Sequence, residues 1–91
     1  MKFEWGPDKA ASNLRKHGVS FEEASTVFGD PLSRTIPDPL HSDDEDRRVI
    51  VGLSATLRTL VVVHADRGER IRIISARSTT RRERRDYEEG I

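Results

Sequence analysis

Three short apolar segments, residues 48–53, 59–65 and 70–75, lie in succession with only residues 54–58 and 66–69 between them. Each is rich in Val and Ile and too short for a packed helix, and both breaks have hairpin length. They predict three strands in an antiparallel meander. That sheet must find its cover within 91 residues, of which 34% are hydrophobic and 35% charged. So small an apolar supply builds one layer of core. Helices are expected on one face of the sheet, with the other face left polar or open to a partner.

The other elements are signalled by their ends. Lys2, Phe3, Glu4 and Trp5 alternate, as a short strand does. Gly6 suits the N-cap and Pro7 the first position of a helix carrying Ala10, Leu14 and His17, which Gly18 stops. Ser20 and Glu23 have capping-box spacing, Val19 can staple against Ala24, and Phe21, Ala24, Val27 and Phe28 form the stripe of a second helix. Gly29-Asp30-Pro31 ends it. Residues 30–46 hold three of the four prolines and an acidic run, so they read as a surface connection with a short edge strand around residues 34–36. Thr80 and Glu83 make another capping box, opening a helix to about Glu89 whose apolar residues are only Tyr87 and Ile91. Its arginines, Arg81 and Arg82, stand in the first turn against the helix dipole. Docking on the sheet, or an anion or partner at these arginines, must hold such a helix. The expected fold is a single α+β two-layer domain over residues 1–91, with an antiparallel sheet packed by two N-terminal helices and a C-terminal helix.

Charge is divided between the halves. Residues 1–46 hold five Lys/Arg against ten Asp/Glu, whereas residues 47–91 hold eleven Arg, no Lys and six Asp/Glu. Either the halves neutralise each other across the fold, or the planar guanidinium forks form a surface for RNA or an acidic partner. Without cysteine, disulfide frameworks and thiolate chemistry are excluded. The run Leu60-Val61-Val62-Val63 is too short to cross a bilayer, and no signal-peptide pattern opens the chain, so a cytoplasmic location is expected. His17, His41 and His64 lack metal-ligand spacing, and no glycine-rich phosphate loop occurs, so neither metal nor cofactor is expected. No helix-turn-helix pattern points to DNA binding by this chain.

Several separated blocks resemble BrnT toxins. They are Phe3-Glu4-Trp5 with Pro7-Asp8-Lys9, then Asn13 and the run from Lys16 to Ala24, then Glu45-Asp46-Arg47. Later blocks are the run from Leu60 to His64, the run from Arg72 to Arg77, and Glu83-Arg84 with Tyr87. One departure is Gly6, where the family usually has Asp; as an N-cap, Gly costs only a few tenths of a kcal/mol. The resemblance implies a RelE-like fold and a toxin of a type II toxin–antitoxin pair. Such a toxin cuts RNA without a metal and is neutralised by a BrnA-type DNA-binding antitoxin. A catalytically inactive binding module is the alternative.

Metal-free RNA cleavage needs a base for the 2′-hydroxyl, charge stabilisation at the phosphorane and an acid for the leaving oxygen. Arg77, at the end of the last meander strand, leads the catalytic candidates, with Glu45, Arg47 and His64 beside it. Each has a structural alternative: an ion pair for Arg77, Glu45 and Arg47, a core position for His64. Arg70 and Arg72 share one strand face, and with Arg67, Lys16 and His17 they are the RNA-binding candidates. Parity puts Arg77 on the other face unless the strand ends or bulges first. Arg81, Arg84 and Tyr87 on the last helix are the antitoxin-binding candidates.

Overall fold

The computed structural model describes residues 1–41, without the side chain of His41, and residues 46–90. Strand β1 (Lys2–Glu4) leads into helices α1 (Pro7–His17) and α2 (Phe21–Thr26), and a 3-10 turn, Val27–Gly29, prolongs α2. Strands β2 (Arg34–Pro37), β3 (Arg47–Leu53), β4 (Thr59–Arg67) and β5 (Arg70–Ser78) follow, and helix α3 (Arg81–Glu89) comes last. The strands form one sheet in the order β1-β5-β4-β3-β2.

The meander is present, and the expected edge strand is β2, antiparallel to β3. The expectation of a purely antiparallel sheet is corrected by β1, which pairs with β5 in parallel. The cause is the crossover: α1 and α2 span the sheet face between β1 and the meander, which brings β1 alongside the last strand in the same direction.

Both N-terminal helices lie on one face, where Val19, Phe21, Ala24, Val27, Ile50, Leu60, Val62, Ile73 and Ala76 make the core and Phe3, Trp5 and Phe28 pack against it. Their ends follow local chemistry. Gly6 is an extended N-cap ahead of Pro7, and Gly18 closes α1 in the left-handed region at φ 68°. The inward residue of α1 is Asn13 rather than Leu14, which is half exposed. Asn13 Nδ2 donates to the carbonyls of Val19 and Ala76, and its Oδ1 accepts from the Ala76 N–H. One side chain thus serves the edge of β5 as a missing strand would.

The Ser20 capping box is only half made. Ser20 Oγ accepts from the Glu23 N–H, but the Glu23 carboxylate turns to Arg58, Ser54 and Thr56 instead. Those partners tie α2 to the β3–β4 loop and hold the Glu23 carboxyl down at about 2, the Arg58 hydrogen bond being the largest cause. The box on α3 is complete, with Thr80 Oγ1 accepting from the Glu83 N–H and Glu83 accepting from the Thr80 N–H.

Candidate active site

Unbroken alternation along β5 would set Arg77 against Arg70 and Arg72. The register breaks instead: Val63 pairs with Ser75 but His64 pairs with Ile73, which leaves Ile74 as the extra residue of a bulge. Ile73 and Ala76 can then both face the helices, and Arg77 joins Arg70, Arg72 and Ser75 on the other face. Across that face Arg72 lies opposite Ala65, and Ala65 opposite Arg47. The two arginine positions stand two strands apart, about 10 Å between backbones. The next rows are Ser75–Val63–Val49–Ile36 and Arg77–Val61–Val51–Arg34. The face therefore has an apolar floor of Val49, Val51, Val61, Val63 and Ala65 with arginines along both sides. Helix α3 borders one end, where Glu83, Asp86 and Tyr87 with Arg34, Ile36 and Val51 line a cleft of about 310 Å³.

Arg72, Arg47 and Arg77 each meet a carboxylate, in different ways. Arg72 NH1 donates to Glu4 Oε2 at 3.0 Å across the parallel strand pair. Arg47 Nε donates to Asp38 Oδ2 at 3.1 Å. Both contacts use one nitrogen and leave the others of the guanidinium without a protein partner among the described residues. Gly6 adjoins Arg72: a Cβ there would lie 3.6 Å from Arg72 NH2, an ordinary van der Waals contact. Arg77 is different: NH1 and NH2 grip Glu83 at 2.8 and 2.9 Å. That grip is the largest cause of the Glu83 carboxyl falling to about 2. Arg77 thus clamps β5 to the first turn of α3 and has little of its fork left for a phosphate.

The other candidates divide. Arg67 and Arg70 face each other at the β4–β5 hairpin and are exposed, with Lys2 next to Arg70. Lys16 and His17 are exposed on α1, beyond the β5 edge. Arg81 and Arg84 are exposed on α3 beside a hollow of about 370 Å³ that Leu57 and Arg58 also line. The Tyr87 hydroxyl donates to Asp30, which pushes its ionisation up to about 12 and fastens α3 to the turn after α2. His64 is 3% exposed, edge-on to Phe28 with ring centroids 4.8 Å apart, on the helix-covered face. Burial lowers its affinity for a proton, and the sheet separates it from Arg72. Glu45 lies outside the described residues. Glu4 was not singled out from the sequence, since only the parallel pairing of β1 with β5 brings it to Arg72. Among the described residues, no three His, Asp or Glu groups come together in a way that could hold a cation.

A family profile described as the ribonuclease toxin, BrnT, of type II toxin–antitoxin systems matches residues 5–83. The chain belongs to the BrnT family. Its members are ribonuclease toxins of two-component pairs, which gives a BrnT chain a protein antitoxin as its partner. The fold is similar to the crystal structure of the Brucella abortus ribonuclease toxin BrnT, with a TM-score of 0.71 at 24% identity, over 89% of this chain and 99% of that one. No curated protein matches the chain in sequence. Among the described residues no helix of this BrnT chain is long and apolar enough to cross a membrane.

Proposed function

We propose that residues 1–91 act as one cytoplasmic toxin domain of RelE-like type that cuts RNA internally, without a metal ion, and so stops translation. A BrnA-type DNA-binding antitoxin would neutralise it, docking on the exposed arginines Arg81 and Arg84 of α3 while Tyr87 holds that helix in place. The observation that carries the nuclease reading is the β5 bulge, which puts Arg77 on the same face as Arg70 and Arg72, with Arg47 across the floor.

On this reading the scissile phosphate lies between Arg72 and Arg47, which use their unspent nitrogens on its non-bridging oxygens. Glu4, held by Arg72, takes the proton of the 2′-hydroxyl as that oxygen attacks phosphorus in line. The bond to the 5′-oxygen breaks, that oxygen takes a proton from water, and a 2′,3′-cyclic phosphate remains. Base catalysis is worth about 10²–10⁴-fold, and charge stabilisation as much or more. Arg77 supports the site through Glu83 and α3, and His64 serves the core.

The carboxylates on Arg47, Arg72 and Arg77 favour a second reading, a binding module that presents this face to a protein without chemistry. Induced expression separates the two. The toxin reading expects growth and bulk translation to stop, and to recover when the DNA-binding partner is co-expressed. Purified, partner-free protein is expected to cleave RNA in excess chelator. Absence of both arrest and cleavage would leave the binding module.

A further inference from the structure

We infer that a crevice between α1 and the bulged edge of β5 binds backbone phosphates of the RNA strand flanking the cleaved bond; this rests on the nuclease reading above. Strand β1 pairs with β5 from Lys2–Arg70 to Glu4–Arg72, so among the described residues β5 beyond Arg72 has no strand on its outer side. Helix α1 lies there, and between the two is a crevice of about 140 Å³ whose lining includes Lys9, Ser12, Lys16, His17 and Ser75.

Four observations point to a polyanion. Among the described residues no carboxylate lines the crevice, although residues 1–46 hold ten acidic side chains against five basic ones. Lys9 and Lys16 are seven residues apart, two helical turns, so they stand on one side of α1. Both are exposed and make no ion pair among the described residues. The helix dipole accounts for Lys16 and His17 in the last turn, but it disfavours Lys9 in the first, which therefore needs another reason.

Continuity supplies the identity of the polyanion. Ser75 lines the crevice and also belongs to the arginine face, opposite Val63 and two residues from Arg77. A strand leaving Arg72 can pass over the sheet edge at Ser75 and meet Lys9 and Lys16. Ammonium groups of this kind are compact point charges that take phosphate without reading the base, as flanking contacts require.

The test is binding of fully 2′-O-methylated, uncleavable single-stranded RNA by wild type and by the double variant Lys9→Gln/Lys16→Gln, with melting to show that the fold is kept. The variant is expected to bind RNA of about twelve nucleotides roughly tenfold more weakly, with less than about twofold change on RNA of about four nucleotides. Its salt slope should be shallower by about 1.4, two lost contacts at about 0.7 each, and Lys9→Arg/Lys16→Arg should restore binding. Unchanged affinity for the long RNA, or equal loss on both lengths, overturns the crevice while leaving the arginine face standing. Intact RNA binding with weakened antitoxin binding assigns the crevice to the protein partner and also overturns it. A wild type that binds neither RNA sinks the nuclease reading, and the crevice with it.

Discussion

Replacing Asn13 with alanine is expected to destabilise the fold by about 3–5 kcal/mol. The side chain is 6% exposed and serves three backbone groups at once, the carbonyls of Val19 and Ala76 and the Ala76 N–H. Each buried group left without a partner costs about 1–3 kcal/mol. Water entering from the adjoining crevice recovers part of that, which places the expected loss in the lower part of the summed range. Leucine should be no better, since it restores volume and none of the hydrogen bonds. The denaturant midpoint measures the loss, and a change below about 1 kcal/mol would contradict the strand-substitute role. Asn13 also bonds β5 two residues past the extra residue Ile74. Surviving Asn13→Ala protein should therefore lose cleavage faster than it loses helix content, as the register that aligns Arg77 with Arg72 loosens.

Arg72→Ala is expected to cut RNA cleavage by about 10²–10³-fold, the usual loss when one group stabilising a developing oxyanion is removed. Stability should hardly move, because Arg72 and Glu4 are 39% and 31% exposed and surface ion pairs of this kind are worth about 0–1 kcal/mol. Arg72→Lys should recover little activity, since one ammonium cannot bridge a carboxylate and a phosphate as a fork does. Arg47→Ala should show a comparable catalytic loss with a larger stability cost, because Asp38 beneath it is 4% exposed. Arg77→Ala should differ from both, loosening α3 as the Arg77 grip on Glu83 is lost. Steady-state cleavage of a short RNA, with folding followed by circular dichroism, distinguishes these outcomes. Full activity in Arg72→Ala would remove the proposed phosphate site.

The meander, the helix boundaries and the low apolar content were legible because each depends on neighbours in sequence: alternation, caps, hairpin-length breaks. The parallel pairing of β1 was not, since a three-residue strand carries no information about its partner or direction. With that pairing unseen, Glu4 could not be linked to Arg72. The bulge was equally hidden. Alternation alone put Arg77 on the other face unless the strand bulged, and the residue that bonds β5 just past the bulge, Asn13, is sixty-three positions away from Ala76. His64 read as a possible base because a histidine ending an apolar strand fits a core or a site, and only Phe28 folding over it decides. The fork of Arg77 looked available for the same reason: the Thr80–Glu83 spacing signals a cap, but not that the same carboxylate also reaches back to β5.

On the nuclease reading, RNA lies on the arginine face of the sheet, between Arg72 and Arg47. Titrating uncleavable RNA into the labelled protein and following the arginine Nε–Hε signals tests it most directly. The signals of Arg47 and Arg72 should shift together and saturate at one affinity, with that of Arg77 moving less and the His64 ring not at all. Shifts confined to the arginines of α3, with Arg47 and Arg72 unmoved, would place the RNA away from this face and overturn the phosphate site.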